Sequence, residues 1–273
     1  MLASFLWHLL LFFPENYRPK CILILNHINS EKINQWNSSG YIHFRNYFDN
    51  AESANIKIWS DEIINNSSPK WMNHFEYING KPNLCRTEDF VPYHNQFKKL
   101  LTDGKIYKLL SQLFNEEVVL YKEKINYKLP GGAGYSPHQD AVAYPFIKKH
   151  ATCLIPIDDS NESNGCIYFS PWPYNDNLLE IDPKNGCIPE SISKELKWIP
   201  CEAKNGDLVI FSSYTPHFSN KNFSNFSRRA LYATYNSLNE GDMRDEYYVK
   251  KKKKLSDNSS RISIIGHFQG QTT

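Results

Sequence analysis

Between residues 51 and 114 the apolar positions recur mainly at steps of three and four; beyond Asn115 they alternate. The first spacing makes one face of a helix and the second one face of a strand. Residues 33–48 carry Ile33, Trp36, Tyr41, Phe44 and Phe48 irregularly around Ser38-Ser39-Gly40, which predicts a helix, a turn and a short strand. Residues 51–64 place Ile56, Trp59 and Ile63 at helical spacing, with Asp49 or Asn50 available as N-cap. A further helix is predicted over 93–114, where Gly104 can break it in two. Between these helices, residues 84–90 read as a charged stretch bounded by aromatic side chains.

Strands are predicted over 118–129, 151–157, 208–213 and 228–235. Alternation in the first of these puts Lys124 and Asn126 on one face. Asn164-Gly165 is a hairpin signal between residues 151–157 and the strand opening at Cys166, and Asn205-Gly206-Asp207 turns the chain into LVIFSS. Helices followed by short strands with Asn-Gly turns describe a mainly β jelly roll or barrel with a helical flank. No repeat or linker divides the chain, so residues 26–273 are expected to form a single domain.

Composition narrows the class. At 273 residues with 41% hydrophobic and 14% aromatic residues the chain can bury a large core, which excludes disorder. A formal charge of +2 points away from a nucleic-acid or membrane partner. Cys21, Cys85, Cys153, Cys166, Cys187 and Cys201 form no Cys-x-x-Cys pair, so scattered reduced thiols and a cytoplasmic location are expected. The apolar run at 2–13 stops at Pro14, too short to span a bilayer and without a basic segment before it; residues 1–25 are read as a cytosolic helix or a misassigned start rather than an export signal. The lysines at 250–254 are read as a solvated, mobile tail, with the following RISIIGHF apolar enough to dock back on the domain.

The candidate chemistry lies in residues 122–140, KEKINYKLPGGAGYSPHQD. In an extended strand His138 and Asp140 converge while Gln139 points away. One imidazole and one carboxylate are two-thirds of the 2-His-1-carboxylate set that holds Fe(II) and leaves positions open for substrate and O2. His217, just after the LVIFSS strand, is the candidate third ligand, and Arg228 follows eleven residues later. The remaining histidines show no partner pattern and are expected to be structural or solvent-facing.

HQD, then Asn164-Gly165-Cys166 opening a strand, then GDLVIF, then a histidine followed at plus eleven by arginine, together resemble the phytanoyl-CoA dioxygenase family of Fe(II)- and 2-oxoglutarate-dependent oxygenases. The resemblance spans about residues 33–240 and implies a double-stranded β-helix, the cupin-like jelly roll. It implies His138, Asp140 and His217 as iron ligands, Arg228 as the anchor of the distal 2-oxoglutarate carboxylate, Ser219 as its hydrogen-bonding neighbour, and Lys124 and Asn126 on the co-substrate-facing strand. Arg229 competes with Arg228, because adjacent strand residues face opposite ways. KEKINYKLPGGAGYSPHQD and RRALYATYN are similar to the branch containing 2-aminoethylphosphonate dioxygenase-like proteins, which implies hydroxylation of a small polar substrate such as an aminoalkylphosphonate. Ser170-Pro171-Trp172-Pro173 departs from the family's usual Pro-Gly-Ser-His in the middle hairpin.

For such a substrate Arg86 and Lys124 are candidate clamps for the acid group and Glu88 for the amine, with Gln139 and Tyr144 nearby; a surface ion pair is the other reading of Arg86 and Glu88. Rival readings of the whole chain are a hydroxylase of acyl thioesters or another small metabolite, a cupin-like metal enzyme that uses no 2-oxoglutarate, and a non-catalytic binding module of the same fold.

Overall fold

The computed structural model describes residues 28–66, 68–257 and 261–273; the apolar run at 2–13, His8, Cys21 and His27 lie outside them. Helix α1 (Ser30–Ser39) and strand β1 (Tyr41–Phe44) occupy the region where a helix, a turn and a strand were expected. Helix α2 (Asn50–Asn65) starts at Asp49, whose carboxylate accepts from Glu52 N while Glu52 returns a bond to Asp49 N. Gly104 divides the next helical stretch into α3 (Asn95–Thr102) and α4 (Lys105–Phe114).

The charged stretch near residue 86 is a strand. β2 (Met72–Ile78) and β3 (Lys81–Glu88) form a hairpin closed by Asn79 and Gly80, both with positive φ. Asn-Gly is the preferred pair for such a turn, so the sequence carries a signal for this hairpin. The remaining strands are β4 (Val118–Lys128), β5 (Tyr135–His138), β6 (His150–Pro156), β7 (Ile167–Phe169), β8 (Ile199–Cys201), β9 (Leu208–Ser212), β10 (His217–Ser219) and β11 (Arg228–Ser237). A short helix α5 (Glu190–Ser193) precedes β8, and α6 (Arg244–Asp257) follows β11.

These strands make two antiparallel sheets, β1-β9-β6-β11-β4-β3-β2 and β5-β10-β7-β8. This is the double-stranded β-helix expected from the sequence. Period two sorts the residues of the larger sheet. Ile125 and Tyr127 of β4, Leu231 and Ala233 of β11 and Cys153 and Ile155 of β6 join one core with Trp36, Ile56, Phe97, Leu101 and Leu110 of the helices. The opposite face looks into the barrel. There Leu154, Val209 and Phe211 pack against Ile167 and Phe169 of the smaller sheet, while Lys124, Asn126 and Lys128 fall opposite Tyr232, Ala230 and Arg228.

Two expectations are corrected. The Asn164-Gly165 turn exists, with Gly165 at positive φ, but β6 and β7 do not pair across it. β6 takes β9 and β11 as neighbours and β7 takes β8 and β10, because the chain crosses from the larger sheet to the smaller one between β6 and β7. The lysines at 250–254 lie in α6, not in a mobile tail, and Lys251 is buried with its ammonium on Glu88. The RISIIGHF segment docks as expected, burying Ile262, Ile265 and His267.

Candidate metal centre

β5 and β10 are neighbours in the smaller sheet, and their register sets His138 directly opposite His217. Close approach of the two strands depends on Gly134, where a Cβ would come within 2.4 Å of Ser219 O. Asp140 opens a short turn immediately after β5, so its carboxylate swings back toward both rings. One ligand atom from each of the three residues falls within 4.8 Å of the others, and all three are buried. Asp140 stands 3.7 Å from His138 Nε2 and 3.9 Å from His217 Nε2.

The donor set fits a metal ion. His138 Nδ1 lies 2.7 Å from Ser136 O and His217 Nδ1 2.9 Å from Thr215 O. A carbonyl can only accept, so each Nδ1 carries the proton and each Nε2 presents a lone pair to the cluster. Burial lowers His217 to about 3, with His138 adding to the effect, which keeps the ring neutral. Burial works against charge on Asp140, but the neighbouring lysines, Lys122 above all and then Lys124, outweigh it and hold the carboxyl well below its usual range. Two imidazoles that turn Nε2 inward and one carboxylate, with one side open to a cavity, suit Fe(II).

The cavity is also lined by Lys124, Asn126, Ser219, Tyr135, Tyr232 and His267. Next to it, Lys128 Nζ donates to Ser219 Oγ at 2.8 Å and to Asn220 O at 2.6 Å. Arg228 is buried and donates through Nη2 to Gly165 O, while its Nε has no hydrogen-bond partner. An unmet buried donor costs about 1–3 kcal/mol, so this corner is built for a further acceptor such as a carboxylate. Arg229, one residue on, faces outward and grips Asp158 with Nε at 2.7 Å and Nη2 at 2.8 Å.

The model of the family described as phytanoyl-CoA dioxygenase matches residues 36–230. The chain belongs to the phytanoyl-CoA dioxygenase family. Among curated relatives, a methylphosphonate hydroxylase of Gimesia maris is 42% identical over 89% of this chain and 96% of its own. A 2-aminoethylphosphonate dioxygenase from uncultured bacterium HF130_AEPn_1 is 38% identical over 87% and 93%. Among solved structures, EctD from S. alaskensis with 2-oxoglutarate and 5-hydroxyectoine matches with a TM-score of 0.68 and 16% identity, over 78% of this chain and 77% of that one. The epimerase SnoN in complex with Fe3+, alpha ketoglutarate and nogalamycin RO matches with a TM-score of 0.65 and 18% identity, over 76% and 83%. At these identities the last two speak for the shared fold.

As a phytanoyl-CoA dioxygenase family member the protein is a 2-oxoglutarate-dependent dioxygenase, with Fe(II) and 2-oxoglutarate as its cofactors. His138, Asp140, His217, Ser219, Lys124 and Asn126 of the sequence-derived set share one cavity, and Arg228 stands beside it. The other four candidates lie behind the wall. Arg86 is not at the surface: it is 1% exposed and donates to Asn126 Oδ1 at 2.9 Å, Tyr135 OH at 3.0 Å and Glu88 at 3.2 Å. Glu88 is equally buried, between Arg86, Lys251 and His74. Burial pushes its carboxyl up, yet Lys251 and Arg86 prevail and hold it low. Gln139 turns away from the cavity to bond Tyr214 O at 2.5 Å and Leu179 N at 2.7 Å. Tyr144 holds Lys122 Nζ 4.6 Å over its ring, supporting the cation that faces Asp140.

Sequence reasoning missed Lys128, Tyr135, Tyr232 and His267. Lys128 continues the alternation of Lys124 and Asn126 by one step, so the pattern held its signal. Tyr135 and Tyr232 are unmarked strand aromatics. His267 had no signal beyond the apolar segment that carries it.

Proposed function

We propose that this dioxygenase hydroxylates a small phosphonate, with iron held by His138, Asp140 and His217. The observation that carries the reading is the charge turned into the barrel: Arg86, Lys122, Lys124, Lys128 and Arg228 lie on the inner face of β3, β4 and β11, with Glu88 beside Arg86 on that face. Among the described residues the cavity wall itself has one lysine, Lys124, whose burial with Arg86 and Lys122 nearby works against its charge until an anion arrives, and one carboxylate, Asp140. Such a wall suits anionic ligands, and two must fit, the co-substrate and a small acid. Kinship with the two phosphonate oxygenases supports the choice of acid.

Bound iron would supply the activation of O2 that no side chain offers. The chain's own residues bind, orient and shield. Arg228 and Ser219 take the distal carboxylate of 2-oxoglutarate, with Lys128 reinforcing Ser219. Asn126 and Tyr135, both held by Arg86, orient the substrate beside the cluster. Burial of the whole set excludes water from the reacting centre.

A second reading concerns the amine. Glu88, offered by the sequence as its acceptor, already neutralises Lys251 and Arg86. This favours a phosphonate without an ammonium group over an aminoalkyl one. We take residues 26–273 as one dioxygenase domain and place it in the cytoplasm, where its five described free cysteines would stay reduced. No helix among the described residues is long and apolar enough to cross a membrane.

The test is 2-oxoglutarate consumption with and without methylphosphonate and 2-aminoethylphosphonate, with product analysis for a hydroxyl on the carbon beside phosphorus. Stimulation by an acyl thioester and by no phosphonate would overturn the substrate reading and leave the dioxygenase class in place.

A further inference from the structure

Three imidazoles at this cavity are built alike. His138, His217 and His267 each direct Nδ1 at the carbonyl two residues earlier, Ser136 O at 2.7 Å, Thr215 O at 2.9 Å and Ile265 O at 2.9 Å. The consequence is the same for each ring: Nδ1 is the donor and Nε2 is left to face the cavity that all three line. The rings are also evenly spaced, with His138 4.2 Å from His217 and 4.2 Å from His267, centroid to centroid, each pair tilted. Yet His267 is outside the group whose ligand atoms converge within 4.8 Å. It is an oriented acceptor on the cavity wall that the metal cluster does not use.

The backbone holds it there firmly. Ser136 N donates to His267 O at 2.8 Å, and Gln269 N donates to Gly134 O at 3.1 Å. Phe268 bridges Tyr135, and further along Tyr77 N donates to Gln271 O at 2.8 Å. The C-terminal segment thus pairs alongside β5 and brings His267 to the cavity wall. Ser263 Oγ, 3.1 Å from Nδ1, braces the ring from behind. A surface histidine needs none of this; a residue that must hold one lone pair in one direction does.

In the same cavity, Lys124 Nζ has no ion-pair partner among the described residues and rests 5.2 Å over the Tyr232 ring. A lysine donor and an imidazole acceptor in one small cavity are complementary to an acid that carries both P–O⁻ and P–OH. A phosphonate monoanion is such an acid, whereas a carboxylate at neutral pH has no proton to give.

We propose that His267 is a specificity-determining residue that contacts the substrate, its Nε2 accepting the P–OH hydrogen bond while Lys124 faces P–O⁻. The inference rests on the phosphonate reading above. It predicts selection of phosphonates over carboxylates, because a carboxylate leaves the buried acceptor unmet.

The test is a binding titration on Co(II)-loaded, full-length protein with 2-oxoglutarate present and no turnover, using methylphosphonate and acetate as probes. His267→Phe keeps a ring beside His138 and removes the acceptor; His267→Gln restores an acceptor. Expected for the Phe variant are unchanged Co(II) and 2-oxoglutarate affinity and a roughly ten- to hundredfold weaker affinity for methylphosphonate, with the preference over acetate erased. The Gln variant should recover most of both. Wild-type methylphosphonate affinity in the Phe variant overturns the inference, as does loss of Co(II) affinity in either variant or no recovery with Gln. If wild-type protein binds no phosphonate at all, the phosphonate reading has failed, an outcome distinct from a wild type that binds and variants that match it.

Discussion

Arg228 and Arg229 are adjacent in β11 and end on opposite sides of the larger sheet. Arg228 faces Lys128 inside the barrel, and Arg229 pairs with Asp158 and Asp61 outside it. The strand's alternation therefore decides which guanidinium can serve a buried co-substrate. Arg228→Ala should raise the KM for 2-oxoglutarate by roughly tenfold or more, the value of a charge-assisted contact at a shielded site. Arg229→Ala should leave that KM within about twofold and lower stability by about 1 kcal/mol. Steady-state kinetics and urea unfolding on both variants measure this; the larger KM effect at Arg229 would place the anchor on the wrong face.

The metal cluster makes a direct prediction. His138→Ala, Asp140→Ala and His217→Ala should each weaken Fe(II) binding by more than the roughly 10- to 100-fold that a supporting partner is worth. Anaerobic Fe(II) titration with a parallel thermal melt separates this from misfolding. Wild-type affinity in any one variant removes that residue from the ligand set.

Among the lysines at 250–254, the structure singles out Lys251. Its ammonium and the Glu88 carboxylate are both 1% exposed. Removing one partner of a buried pair leaves the other charge without its counterion, so Lys251→Ala should cost about 3–5 kcal/mol of stability. Lys253→Ala, at an exposed position of the same helix, should stay within about 0.5 kcal/mol. Equal urea midpoints for the two variants would return the lysine run to a solvated face.

Two histidines away from the cluster set an acid limit. Burial lowers His150 to about 4 and, with Lys251 and Arg86 adding to it, His74 to about 3. In the unfolded chain each takes up a proton near pH 6.5, so between that pH and the folded value the unfolded state binds more protons. Stability is then full above pH 6.5 and falls on acidification, each group contributing a loss of about 2 kcal/mol by pH 5. Denaturant melts of wild type and His150→Phe at pH 7.5 and 5.0 check this. The Phe variant keeps a ring beside Tyr214, stacked at 5.2 Å on His150 in the wild type, and should show the smaller acid loss. An identical loss in both would clear His150 of the effect.

What the sequence determined by itself is what travels through the local backbone. His138 and Asp140 converge because they are two apart, Lys124 and Asn126 share a face for the same reason, and the Arg228 phase follows from its own strand. Helix limits at Asp49 and Gly104 were readable because caps and breakers act within one turn. Only the tertiary structure decided what stands across from each face. The hairpin signal at Asn164-Gly165 names a turn, but which sheet receives each arm depends on β10 and β11, whose residues come later in the chain. Lys251 looks like its neighbours until Glu88, 163 residues away in sequence, claims it. His267 becomes part of the cavity because the C-terminal segment pairs alongside β5. Local pattern fixes the direction of a side chain, whereas its partner is set by packing and backbone pairing between distant segments, which no short window of sequence contains.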